Sequence, residues 1–467
     1  MSNLFKYLPS VDSVLTRLEE EGVIDGLPRT LSRDLVNGFL DVCREEIKGG
    51  IITEEKQLSP ETLFPRLTCH VRAGAKPHFR RVLNGTGVVV HTNLGRSLLA
   101  ESAVQAVTEA CACYSNLEFD LNTGERGSRY SHVEKLICEI TGAESALVVN
   151  NNASAVLITL ETLAKGREAI VSRGQLVEIG GSFRIPDVMT KSGAFLREVG
   201  ATNRTHLHDY ENAINEETAL LMKVHTSNFR VIGFTKEVSG GELAGLGRKH
   251  GLPVYEDLGS GNLTNFSGLG LMREPTVQEV VAEDVDVVSF SGDKVLGGPQ
   301  AGIIVGKKKF IDMIKKNPLN RAVRIDKMTL AALEATLRLY LDPETAKREV
   351  PTVRMITENP ENLKKQAQAL ARTLRRELGE SATIAVREGV SRVGGGAFPE
   401  QDLKTFLVTI VPNIKVTVEE LKENLLSTEP PLVGRIEEDS YCLDPRTLSR
   451  AEHKLCADAI SQVLNIN

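Results

Sequence analysis

The chain has 467 residues, 41% of them hydrophobic and 25% charged, with a formal net charge of −6. That length suits two or three domains of ordinary globular texture, and the charge balance excludes a chain that binds nucleic acid or an anionic membrane through global electrostatics. No run of about 18 apolar residues is present to span a bilayer, MSNLFKYLPSVDSV lacks the basic start and apolar core of a signal peptide, and seven cysteines scattered from Cys43 to Cys456 make no disulfide framework.

Reduced, buried thiols in a cytoplasmic protein are therefore expected. Cys111 and Cys113 stand two apart with no second pair nearby at zinc-ligand spacing, so no metal site is expected.

Residues 1–78 read as a helical domain. VDSVLTRLEEEGVIDG carries apolar residues at helical spacing, and RDLVNGFLDVCREEIKGG repeats the pattern and stops at Gly49-Gly50, a fitting C-cap. Pro65 and then RAGAKPH are expected to punctuate the exit.

From 79 to 325 short β-branched runs alternate with helical stretches and glycine turns: ALVVN, EAIVSR, ALLMKV, LPVYEDL, VDVVSFS and AGIIVG. Such alternation predicts βαβ units and a largely parallel sheet with helices on both faces. Ligands of such sheets bind beyond the carboxyl ends of the strands. From 326 to 467 a smaller α+β domain is expected. Its helices are MTLAALEATLRLYL, ENLKKQAQALARTLRREL and AEHKLCADAISQVLNI, and its strands lie in ATIAVREG and KTFLVTIVP.

The residues that follow each run carry the chemistry. ALVVN leads into Asn150-Asn151-Asn152-Ala153-Ser154 at a helix start, where backbone N–H groups, small polar side chains and the helix dipole suit a phosphate. They also suit an ordinary cap. ALLMKV leads into His225-Thr226-Ser227-Asn228, LPVYEDL places Asp257 at a strand end, and VDVVSFS leads into Ser291-Gly292-Asp293-Lys294. A lysine between two apolar runs must be paired, neutral or covalently used, or else snorkel to water. Pyridoxal phosphate needs this set: a lysine amine for its aldehyde, a carboxylate for its pyridine nitrogen, and a helix N-terminus for its phosphate. The rival, a P-loop in AGIIVGKK, fails because Ala301 and Lys308 stand where glycine and Ser or Thr are required.

Six stretches resemble the bacterial selenocysteine synthase family, the L-seryl-tRNA(Sec) selenium transferases. They are NGTGVVVHTNLGRSLL (84–99), YSNLEFDLNTGERGSRYSHVE (114–134), VNNNASAVLITL (149–160), GGSFRIPDVM (180–189), VYEDLGSGN (254–262) and SFSGDKVLGGPQAGIIVG (289–306). The resemblance implies an aspartate-aminotransferase-like (fold type I) large domain, a helical N-terminal domain that recognises tRNA, and a homodecamer. It implies a cytoplasmic enzyme that takes seryl-tRNA(Sec), removes the seryl hydroxyl to leave a dehydroalanyl group, and adds selenium from selenophosphate. Lys294 would hold the cofactor and act as general base. Asp257, Ser291, Asn151, Asn152, Ser154, His225 and Asn228 would hold pyridoxal 5'-phosphate; no aromatic for stacking on its ring stands out, and His225 is the candidate, its alternative being a strand-end histidine satisfied by hydrogen bonds. Arg96, Arg321 and Arg324 would hold the selenium donor. Two other readings share part of this set: a pyridoxal-phosphate lyase acting on a small amino acid, and a non-catalytic tRNA-binding protein. Residues 1–80 hold 11 Lys or Arg against 12 Asp or Glu, no basic excess for tRNA, whereas residues 307–354 hold 12 against six.

Overall fold

The computed structural model describes residues 4–179, 183–269, 271, 273–399 and 401–464; the GGS that opens GGSFRIPDVM lies outside the described residues. The chain divides into two compact units, residues 1–81 and 82–467.

The first unit is built on helices Val11–Glu20, Arg29–Lys48 and Pro60–Ala75. Ser10 caps the first by accepting the Ser13 N–H, and Gly49 closes the second. Their apolar stripes meet in one core that includes Leu15, Leu18, Val36, Leu40, Leu67 and Val71. Pro65 is not an exit; it lies inside the third helix. Its missing N–H falls early in the helix, and burial of the flanking Leu63, Phe64 and Leu67 outweighs the lost bond.

The second unit contains two main sheets. The larger has seven strands in the order Ser145–Val149, Gly302–Gly306, Val287–Ser291, Val254–Gly259, Thr218–Val224, Glu168–Ser172 and Phe195–Val199. Gly302–Gly306 runs antiparallel to both neighbours, and the other pairs are parallel. The six runs named from the sequence are six of these strands. The central ones are buried on both faces, which is why they read as largely apolar, β-branched runs rather than alternating ones. The seventh, Phe195–Val199, is an edge strand whose Arg197 and Glu198 hide the apolar signal.

The smaller sheet has five strands in the order Arg435–Glu437, Ser440–Leu443, Asp402–Pro412, Ala382–Gly394 and Val88–Val90. Its last member comes from far upstream and pairs parallel with Ala382–Gly394. Helices Pro360–Leu378 and His453–Leu464 cover it through a core that includes Leu370, Leu374, Ile410, Tyr441 and Ile460. The expectation of buried thiols holds for Cys43, Cys442 and Cys456 but not for Cys69, Cys111 and Cys113, which are exposed. Among the described residues no helix is long and apolar enough to cross a membrane.

Candidate active site

Strand ends carry several of the predicted residues: Asp257, Ser291, Lys294, His225 and the Asn151 helix start. Asp257 lies on Val254–Gly259 and is 4% exposed. Its Oδ1 accepts from Asn152 Nδ2 at 2.7 Å and from the Ser289 hydroxyl at 3.1 Å. Ser289 is its direct neighbour in register on the parallel strand, and Tyr255, two residues back on the same face, hydrogen-bonds Ser289 at 2.7 Å. Burial raises the Asp257 carboxyl above the usual carboxylate range, and the Asn152 amide and the Lys294 ammonium oppose that rise. A cation bound beside it would restore the ionised form.

Lys294 sits in the tight connection between Val287–Ser291 and Gly302–Gly306 and is 8% exposed. The connection is pinned by the Ser97 hydroxyl, which donates to the carbonyls of Asp293 at 2.9 Å and Lys294 at 2.6 Å. The N–H of Val295 bonds the Ser260 carbonyl, and that of Gly298 bonds the Gly292 carbonyl. Gly297 has φ +73°, and a side chain there would collide with Val350. Burial pushes the Lys294 amine below the ordinary lysine range, with Asp257 and Asp293 resisting and Arg96 assisting. A buried, readily neutralised amine is a nucleophile and a base.

Asn151 is the N-cap of helix Asn152–Ala164 and accepts the Ser154 N–H at 2.9 Å. That leaves the other first-turn N–H groups of a 13-residue helix facing the same sheet end. Ser291 closes the strand that leads to Lys294 and is buried. His225 follows Thr218–Val224; its N–H bonds the Asp257 carbonyl at 2.9 Å and its ring pairs with Glu274 at 3.1 Å. Asn228 is exposed and donates to the Glu178 carbonyl, and no contact among the described residues joins it to Asp257 or Lys294.

The three arginines differ. Arg96 pairs with Asp293, the residue before the lysine, at 2.5 Å, and holds a left-handed backbone at φ 64° directly after Gly95 at φ 95°. A non-glycine residue there carries roughly 1–2 kcal/mol of strain, the kind of cost that clusters at functional sites. With Asp293 and Gly298 it lines a cavity of about 370 Å³. Arg324 bridges to the end of Ser145–Val149, and its Nη1 reaches Glu118 at 3.2 Å. Glu118 also holds Arg126 and Arg129, and Arg129 foremost keeps its carboxyl below the usual range. Arg321 is exposed on the short helix Leu319–Ala322.

The residues present fit pyridoxal phosphate. A buried lysine and a buried carboxylate influence each other's ionisation, and a capped helix N-terminus opens beside them. Three buried polar atoms around them, Asn152 Oδ1, Ser227 Oγ and Ser260 Oγ, have no hydrogen-bond partner among the described residues. Sequence reasoning missed Ser289, Tyr255, Asp293 and Ser97. It also missed Gly396, which closes on Lys294 from the hairpin between the two long strands of the smaller sheet. The alternation Tyr255-x-Asp257 and the run of three glycines from Gly394 were the available signals.

A family profile described as L-seryl-tRNA selenium transferase matches residues 82–449, and one described as selenocysteine synthase N terminal matches residues 5–44. The chain is 95% identical over 464 residues to the L-seryl-tRNA(Sec) selenium transferase of Maridesulfovibrio salexigens, covering 99% of this chain and all of that one. It is 63% identical over 464 residues to the protein of the same name from Desulfomicrobium baculatum, with the same coverage. Among solved structures it resembles a D-glucosaminate-6-phosphate ammonia-lyase with a TM-score of 0.56 and 20% identity, over 83% of this chain and 96% of the other, a likeness of fold.

Proposed function

This chain belongs to the L-seryl-tRNA selenium transferase family, and from that premise we propose how its residues turn seryl-tRNA(Sec) into selenocysteyl-tRNA(Sec). The observation that carries the reading is a buried Lys294 and a buried Asp257 beyond the carboxyl ends of adjacent strands, near enough for each charge to act on the other's ionisation. Pyridoxal phosphate, when bound, supplies an aldehyde for the seryl amine and an electron sink for the bonds at its α-carbon.

Lys294 would hold that cofactor, and its free amine would be the base. Its burial favours the neutral amine, so Nζ takes the α-proton and is then the acid that can protonate the departing β-hydroxyl. Asp257 keeps the ring nitrogen protonated, with Asn152 orienting the carboxylate. The N–H groups beyond the Asn151 cap, with Ser154 and Ser291, take the phosphate. His225, held by Glu274, would face the cofactor ring, and Asn228 would lie at the margin of the site. Arg96, Arg321 and Arg324 receive selenophosphate, an anion suited to guanidinium forks.

Residues 1–78 act as the tRNA-recognition domain, 79–325 as the cofactor domain and 326–467 as the small domain of a cytoplasmic homo-oligomer, a decamer by family resemblance. Exposed Tyr114, Phe119 and Leu121 beside a groove of about 630 Å³ support association. The test is conversion of seryl-tRNA(Sec) with selenophosphate, alongside borohydride trapping of the cofactor. Selenocysteyl-tRNA formation with the trap on Lys294 supports the reading. Turnover of free serine alone, or a trap elsewhere, overturns it.

A further inference from the structure

Asp257 is held by a directional chain of hydroxyls. When Asp257 is ionised, Ser289, with its one hydroxyl proton, gives it to Asp257 Oδ1 at 3.1 Å. The 2.7 Å contact between Tyr255 and Ser289 must then have the tyrosine as donor. Tyr255 and Ser289 are each 0% exposed, so water does not compete for either proton. Asn152 adds a second donor to the same oxygen. Both side-chain donors meet Oδ1, among the described residues no side-chain donor is found on Oδ2, and the Gly259 backbone N–H adds a further donor to the carboxylate.

We infer that Ser289, backed by Tyr255, is a positioning residue that fixes the Asp257 carboxylate and keeps it ionised toward the ring nitrogen of the cofactor. The inference rests on the reading that Asp257 faces that nitrogen. A carboxylate buried without donors would take up a proton. Each donor on Oδ1 lowers its proton affinity, and the Tyr255 phenol polarises the Ser289 hydroxyl further. Burial and the neighbouring Asp257 charge push Tyr255 well above the ordinary tyrosine range, so it stays a donor at any working pH. The other charged groups nearby are Lys294 and, around the lysine, Arg96, Asp293 and Glu274. Glu256 projects from the opposite face of the strand and pairs with Lys223.

The experiment is a pH titration of the visible absorbance of holoenzyme loaded with pyridoxal phosphate. If Ser289 is removed, Asp257 draws more strongly on the ring proton, and the nitrogen linking Lys294 to the cofactor keeps its own proton to higher pH. Loss of one hydrogen bond to a charged group changes proton affinity roughly 10- to 150-fold, and only part of that change reaches the linking nitrogen across the ring. Ser289→Ala is therefore expected to raise the absorbance midpoint by about half to one pH unit. Tyr255→Phe, which removes a single oxygen, is expected to move it the same way by less, and decides the matter where Ser289→Ala fails to fold or to hold cofactor. Asp257→Asn tests the underlying reading. If it moves the midpoint while Ser289→Ala and Tyr255→Phe do not, the positioning role is wrong and the Asp257 reading stands. If none of the three moves it, both fall.

Discussion

Gly396 lies against Lys294: a Cβ built on the glycine would stand 2.8 Å from the lysine Nζ and 2.9 Å from its Cε. The glycine has φ +82° and ends a run of three at the turn of the long hairpin. The smaller sheet thus supplies a wall of bare backbone over the reactive amine. Gly396→Ala adds both a collision and left-handed strain of roughly 1–2 kcal/mol. It is expected to reduce cofactor loading and turnover about tenfold or more, with the circular dichroism spectrum unchanged. Visible absorbance per mole of protein checks it, and full loading with full activity would show that the amine has room to spare.

Lys294→Ala is expected to abolish turnover and the visible band that an amine-linked cofactor gives. Lys294→Arg should do the same, because a guanidinium does not deprotonate in a protein. Chemical rescue with a small primary amine is the check: partial return of α-proton exchange from bound substrate identifies the missing amine as the base, and exchange in the variant without rescue assigns that role elsewhere.

Asp257 makes two predictions with one substitution. Asp257→Asn should leave cofactor bound yet remove most α-proton exchange, since a neutral ring is a poorer electron sink. The same change should alter the pH dependence of the cofactor-free protein. Burial raises the folded carboxyl's pKa, so the folded chain holds that proton more tightly than the unfolded one. Its contribution is present at pH below the ordinary carboxylate range and is lost as pH rises through the raised value. The amide that replaces the carboxyl cannot titrate, yet its oxygen can still accept from Asn152 and Ser289. The variant's melting temperature should therefore gain on the wild type as pH rises above the ordinary carboxylate range, about pH 4, and a gap that stays constant with pH would remove the argument.

The fold was legible where burial is two-sided. Val287–Ser291 and Gly302–Gly306 carry no charged residue and are buried throughout, whereas Phe195–Val199 on the edge mixes Arg197 and Glu198 into its pattern. Lys294, Asp257 and the Asn151 cap were legible because strand ends and helix starts are local features. Partners made by tertiary approach were not. Ser97 stands 197 residues from Lys294 and Gly396 102 residues beyond it, and nothing in either local sequence states the meeting. Asn152 was placed at the phosphate and is found donating to Asp257, a choice that only the register between helix and strand decides.

The arginines should act on selenium addition more than on loss of the hydroxyl. The seryl ester carries no anionic group at its β-carbon, whereas selenophosphate, the proposed donor, is a multiply charged anion, and a charge-assisted contact contributes about 1.5–3 kcal/mol, roughly 10- to 150-fold. The structure ranks the three. Arg96 is tied to Asp293 beside the lysine, so Arg96→Ala also removes a charge that helps keep Lys294 neutral. It should weaken selenophosphate use and shift the pH optimum of α-proton exchange upward. Arg324 engages Glu118 through Nη1 alone among the described residues, leaving the rest of its fork for the donor. Arg324→Ala should raise the donor KM with little change in elimination, and Arg324→Lys should recover only part because the planar fork is gone. Arg321 is exposed and should give the smallest effect. Single-turnover assays that follow water loss and selenium addition separately decide the matter: equal losses in both steps would move these arginines from donor binding to positioning of the cofactor or the tRNA.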